Sequence, residues 1–183
     1  MPHYIPLVLI GVLVLWSIFI YNRIVVLFQR VRNAWSQIDV QLKRRYDLIP
    51  NLVEIVKGYM AYEKQTLERV IRARTQAIQA STMKEKIEAE NLLTGGLRSL
   101  LALVENYPEL KANQNMLRLQ EELTTTENRI SFARQYYNDE VMQYNSFIQS
   151  FPVSLMARLA RYQGEPFFEM EDPAQRRNTE VRL

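Results

Sequence analysis

The chain has 183 residues and a net charge of +3, its 23 Lys and Arg interleaved with 20 Asp and Glu, and so lacks the clustered basic face of a nucleic-acid-binding protein. With no Cys there are no disulfides, thiolate nucleophiles or Cys metal ligands, and the single histidine, His3, has no second ligand or catalytic partner nearby. Only 5 Gly and 7 Pro leave too little turn material for an all-β fold, and the abundant Leu, Gln, Glu, Arg and Ala point to helices.

From Tyr4 to Tyr21 the chain reads YIPLVLIGVLVLWSIFIY without a charge. At a helical rise of about 1.5 Å per residue this stretch covers roughly 27 Å, close to the thickness of a bilayer core. Tyr4, Trp16 and Tyr21 suit interfacial positions, and the apolar run resumes at Ile24–Phe28, so the span is read as 4–21, extensible to 28 past a snorkelling Arg23. Met1 to His3 lack Lys and Arg and no small-x-small site follows, which favours a retained anchor over a cleaved signal peptide. Arg23, Arg30, Arg32 and then Lys43, Arg44 and Arg45 follow the span. The positive-inside rule therefore predicts a single-pass membrane protein with its N-terminus outside and the following domain cytoplasmic.

Beyond the anchor, residues 29–162 are predicted to form one bundle and 163–183, polar and containing Pro166 and Pro173, a loosely ordered tail. Ile24, Phe28, Val31, Trp35, Ile38 and Leu42 recur every three or four residues, so the anchor should run straight into the first bundle helix. A turn is expected over 47–51, because Pro50 lacks an N–H and Asn51 with Glu54 resembles a capping box; one long helix passing through Pro50 is the alternative. A second helix is predicted over 51–80, a connection over 81–84, and a third helix over 83–107, ended by Pro108. Gly95-Gly96 inside it suggests a kink or close backbone approach rather than a phosphate loop. The fourth helix, over 113–150, carries a stripe stepping every three or four positions from Met116 to Ile148, apolar but for Thr126, and a short amphipathic helix follows within 153–162. The fold class is thus all-α, an N-terminal transmembrane helix continuing into an antiparallel bundle of four long helices with coiled-coil-like stripes.

Three blocks, WSQIDVQLKRRYDLIPNLVEIVKGY from Trp35, LVENYPELKAN from Leu103 and LQEELTTTENRISFARQYYNDEVMQYN from Leu119, resemble the signature blocks of the LemA family of bacterial membrane proteins. The resemblance implies a single-pass protein with a bundle of four long helices, and neither an established enzymatic activity nor a cofactor. One relative in that family is associated with magnetosome membranes, and others occur near membrane proteases or in envelope contexts. Trp35, Asp39, Arg44, Arg45, Asp47, Pro50, Asn51, Glu63, Tyr107 and Pro108 are the signature positions carried over. Tyr62 stands before Glu63 where relatives often carry His, which weakens a metal-binding role there.

Read by themselves, Asp39, Asp47 and Glu54 flank a helix break, where carboxylates usually serve as caps and ion-pair partners. Lys43-Arg44-Arg45 lies about 33 Å beyond Tyr21 if helical, several Debye lengths away, so pairing within the bundle or solvation is expected there in preference to lipid contact. Asn128, Arg134, Asn138 and Asn145 border the stripe of the fourth helix, where they would set helix register or line a groove for a partner or a second copy. With no catalytic constellation, the expectation is a membrane-anchored scaffold acting through self-assembly or another membrane protein, or alternatively an adaptor of a membrane protein such as a protease. The partners expected are the lipid bilayer and protein, with no nucleic acid, small-molecule substrate or cofactor.

Overall fold

The computed structural model describes residues 4–59 and 63–168, and these are all-α. The helices are α1 (Tyr4–Tyr59), α2 (Lys64–Gln79), α3 (Met83–Val104), α4 (Pro108–Lys111), α5 (Gln114–Gln149) and α6 (Val153–Leu159). The described residues divide into two packed units. One takes α1 up to Gln41 together with Arg129–Phe167; the other takes Leu42–Asn128 and, among the described residues, Phe168.

The turn expected over 47–51 is not formed: α1 is a single helix of 56 residues with Pro50 inside it. Two local facts explain why a residue that normally ends a helix does not end this one. Leu42, Tyr46, Ile49, Leu52, Val53 and Val56 keep one buried face before and after the proline, so burial favours continuation. Pro50 cannot donate to the carbonyl four residues earlier, that of Tyr46, and Arg74 of α2 supplies the missing donor through Nε at 2.8 Å. The segment expected as one helix over 51–80 is therefore the end of α1 followed by α2, and residues 60–62, Tyr62 among them, lie outside the described residues.

In the first unit, α1 and α5 run antiparallel, since Trp35 meets Tyr137 and Phe28 meets Tyr144 at ring-centroid distances of 5.4 and 5.7 Å. Ile20, Ile24, Leu27, Val31, Ala34 and Ile38 form the buried stripe of α1 here, against Ile130, Tyr137, Val141, Tyr144 and Ile148 of α5. From Leu7 to Phe19, by contrast, the large apolar side chains of α1 are exposed, and Ser17 returns its hydroxyl to the Leu13 carbonyl at 2.8 Å.

In the second unit, the lower-numbered turns of α5 and the last turns of α1 join α2, α3 and the single turn α4. Its core is Leu52, Val56, Val70, Leu93, Leu100, Leu110 and Met116. Gly96 is buried where α3 approaches α2 closely: a Cβ there would lie 3.4 Å from Val70 Cγ2. Helix ends follow local chemistry. Thr82 and Glu85 form a reciprocal capping box on α3, and Asn113 Oδ1 accepts from the Asn115 and Met116 amides to start α5. α3 ends at Val104 rather than Tyr107, and Pro108 begins α4, where its missing N–H costs nothing.

The Tyr46 carbonyl yields a testable consequence. Arg74→Met is expected to lower unfolding free energy by about 1–2 kcal/mol, and by much less in a Pro50→Ala background, where the introduced alanine restores the helical N–H. Chemical unfolding of the four full-length variants in detergent, followed by circular dichroism, measures this coupling.

Candidate functional site

The densest polar cluster of the second unit forms where α1, α3 and α5 meet. Arg45 and Tyr46 are consecutive on α1, Glu90 and Thr94 lie one turn apart on α3, and Glu127 comes from α5. Arg45 is 3% exposed and Glu90 is fully buried. Arg45 Nη1 donates to Glu90 Oε2 at 2.9 Å and to Thr94 Oγ1 at 3.2 Å, its Nη2 pairs with Glu127, and the Tyr46 hydroxyl donates to Glu90 Oε1 at 2.5 Å. Both Glu90 oxygens thus accept a bond from α1. Burial pulls the Arg45 guanidinium below its ordinary pKa, and Glu90 opposes the shift; an arginine nonetheless stays charged at any physiological pH. Such a buried pair adds little net stability over an apolar core, but it is costly to break and specifies which helix faces meet. Beside it, a groove of about 270 Å³ is lined by Arg45, Thr94, Leu97, Arg98, Leu123, Thr124, Glu127 and Asn128. That is slightly below the usual size of a small-molecule pocket.

A second cluster, in the first unit, ties the chain after α6 back onto α5. The Tyr144 hydroxyl donates to Gln163 O and the Tyr137 hydroxyl to Pro166 O, each at 2.9 Å. Asn145 spends its whole amide on Glu165, donating to the carbonyl and accepting from the N–H at 2.9 Å each. Gly164 permits this approach, since a Cβ there would sit 3.2 Å from Asn145 Oδ1. Burial raises both phenols, that of Tyr144 to about 12, so both remain protonated donors. The Glu165 carboxyl is also pushed up by burial, with Arg32 partly offsetting it. The first residues of the expected loose tail, Gln163 to Pro166, are therefore held by α5; residues 169–183 lie outside the described residues.

Of the residues singled out in the sequence, Arg45 sits at the centre of the buried cluster and Asn128 is exposed at the rim of its groove. Trp35 packs edge-on against Tyr137, and Asn145 clamps Glu165. Arg134 is buried on α5, while Asp39 and Asn138 are half-buried on α1 and α5. Arg44, Asp47, Pro50 and Asn51 are exposed, so the capping box expected of Asn51 and Glu54 has no helix start to serve. Glu63 precedes α2 and accepts from the Leu67 amide through its carbonyl, and Tyr107 and Pro108 open α4. Among the described residues no group of three or more His, Asp or Glu is placed to hold a metal ion.

Sequence reasoning missed Tyr46, Arg74, Glu90, Thr94 and Glu127. One signal was present: Glu90 lies three residues before Leu93, on the buried face of α3, and an acidic residue on an apolar stripe calls for a cationic partner.

These features define a class: a helical bundle carried on a helix that is, among the described residues, the one long and apolar enough to cross a membrane. The LemA family model matches residues 34–183, and the chain belongs to that family. Its relatives include the magnetosome protein MamQ of Magnetospirillum gryphiswaldense, 23% identical over 180 aligned positions that cover 84% of this chain and 66% of MamQ. Magnetosome protein MamQ 2 of Paramagnetospirillum magneticum matches to the same extent. Protein LemA of Metamycoplasma hominis is 26% identical over 129 positions, 70% of this chain and 59% of that protein. The chain thus spans about two thirds or less of the length of these relatives. The apolar helix and these relatives together mark a membrane-associated protein.

Two variants probe the clusters. Glu90→Ala strands Arg45 and Tyr46 in the core and is expected to cost about 3–5 kcal/mol of unfolding free energy, with Glu90→Gln milder, as read by chemical denaturation of the full-length chain. For Glu165 the folded pKa is raised, so the folded state holds the proton more tightly than the unfolded one. Its contribution is most favourable below the ordinary carboxylate pKa of about 4.3 and falls as pH rises through the folded value. Glu165→Gln is expected to remove that part of the slope in a pH series of thermal unfolding; an unchanged slope contradicts it.

Proposed function

We propose that this chain is a membrane-anchored scaffold that spans a bacterial inner membrane through the N-terminal part of α1 and organises copies of itself or other membrane proteins. One observation carries the reading. Along one continuous helix, large apolar side chains are exposed from Leu7 to Phe19, and from Ile20 onward an apolar stripe is buried in a protein core. An exposed apolar run of that kind is stable in lipid and costly in water. Arg23, Arg30 and Arg32 follow the span, which supports a cytoplasmic bundle. Val40 and Phe132, 64% and 72% exposed in the first unit, offer apolar contacts to a neighbouring copy or partner. That two relatives are magnetosome proteins is in keeping with a part in building a cellular assembly.

We assign the chain no reaction. The side chains of its most buried polar cluster are spent on one another, holding helices together, rather than turned toward a substrate.

Topology and assembly are tested together in intact cells. With Pro2→Cys, Asn115→Cys or Leu183→Cys in the Cys-free chain, an impermeant thiol reagent is expected to label only the first, and crosslinking in the same membranes to give discrete higher-mass species. Labelling at 115 and 183 reverses the orientation, and a strictly monomeric chain with no crosslinked neighbour overturns the scaffold.

A further inference from the structure

The end of the first unit that adjoins the exposed apolar run carries an unusual surface. α6 packs through Val153 and Ala157, which are buried, and turns Leu155 and Leu159, one helical turn apart and 60% and 85% exposed, away from the protein. Phe151, just before α6, is 83% exposed. Just after α6, the Tyr162 ring lies 6.4 Å from that of Tyr21 and 5.9 Å from that of Phe28. Those contacts place the C-terminal end of α6 beside the point where α1 passes from exposed apolar residues into the core.

The stretches of sequence that build this end are rich in arginine and poor in acids. Neither the first 38 residues nor those between Glu140 and Glu165 contain an Asp or Glu, while the same stretches supply Arg23, Arg30, Arg32, Arg158 and Arg161. Arg23, Arg158 and Arg161 are exposed. Exposed Leu and Phe beside exposed arginines, on a short helix already held in place by the bundle, match the requirements of a bilayer interface: apolar side chains for the acyl boundary, guanidinium groups for phosphates, and little ordering cost on contact.

We propose that the α6 region is a second membrane contact, in which Phe151, Leu155 and Leu159 enter the interface of the bilayer that α1 crosses while Arg23, Arg158 and Arg161 bind anionic phospholipid headgroups. The inference rests on the membrane-spanning reading of α1. A second copy of the chain fits this face less well, since two such faces would set arginine against arginine. The contact seats the first unit against the membrane and makes its seating depend on lipid charge.

The test uses the full chain in nanodiscs, with an environment-sensitive fluorophore on Leu13→Cys, Leu159→Cys or Phe132→Cys and lipids spin-labelled either near the headgroup or deep in the acyl chain. Leu13 is quenched from the deep position if α1 spans. The proposal expects Leu159 to be blue-shifted and quenched several-fold more than Phe132 by the shallow label in anionic discs. That quenching should weaken in neutral lipid and in the Arg158→Gln, Arg161→Gln double variant, with helicity unchanged. A solvent-like Leu159 beside a deeply quenched Leu13 overturns the α6 contact and leaves the anchor standing. If Leu13 escapes quenching as well, the spanning reading fails and this inference falls with it. If Leu159 is shielded only in discs holding two or more copies, the occupant is a second chain and the lipid contact is refuted.

Discussion

The hydrogen bond from Arg74 Nε to the Tyr46 carbonyl is what allows α1 to pass through Pro50, and the continuity of α1 is the constraint on which the second unit is assembled. A proline inside a helix frees the carbonyl four residues back, and in a packed interior an unpaired carbonyl is expensive. Here the freed group is used rather than tolerated, because it gives α2 a fixed point on α1. Tyr46 is bound twice, through its carbonyl by α2 and through its hydroxyl by Glu90 of α3. Arg45, its neighbour, reaches α3 and α5. Two consecutive residues thus specify how three other helices lie on the second half of α1, with a specificity that apolar contacts, being non-directional, do not supply.

The first unit solves a different problem. After α6 the chain has no regular partner for its backbone, and α5 supplies one from its side chains: two tyrosine hydroxyls and an asparagine amide serve residues 163–166 as a strand neighbour would. The tyrosines are suited to this because their rings fill the core against Trp35 and Phe28 while their hydroxyls reach its edge. Raised phenol pKa values keep them donors at any pH a cell experiences.

For function, the polar groups fall into two sets. Those of the Arg45–Glu90 and Tyr144–Asn145 clusters are committed to joining elements of the fold. Those at the end of the first unit near Tyr21 and Tyr162 are exposed, cationic and interleaved with apolar side chains, and they border the run that suits lipid. The proposed scaffold role and the proposed α6 contact with lipid would account for these two clusters and this surface together.

Much of this was legible from residue order alone. The uncharged run from Tyr4 to Tyr21, the periodicity of α5, the connection ahead of α3 and the three blocks that marked the family are local properties, and local properties survive in a linear sequence. Pro50 could not be read that way. Its effect on α1 depends on whether a donor reaches the Tyr46 carbonyl, and that donor lies on another helix, 28 residues away in sequence. The partner of Arg45 was hidden for the same reason, since Glu90 follows it by 45 residues and meets it only once α1 and α3 are packed. The hold on Glu165 likewise needed α5 and the returning chain to be side by side. Away from residues 47–63 and the single turn α4, residue order was enough to say which segments are helical, which faces are apolar and which segment suits lipid, because helix periodicity and burial are set by neighbours three and four residues apart. Which polar groups pair, and therefore that the helix runs on through its proline, emerged only when the helices were packed, because hydrogen bonds join groups by position in space.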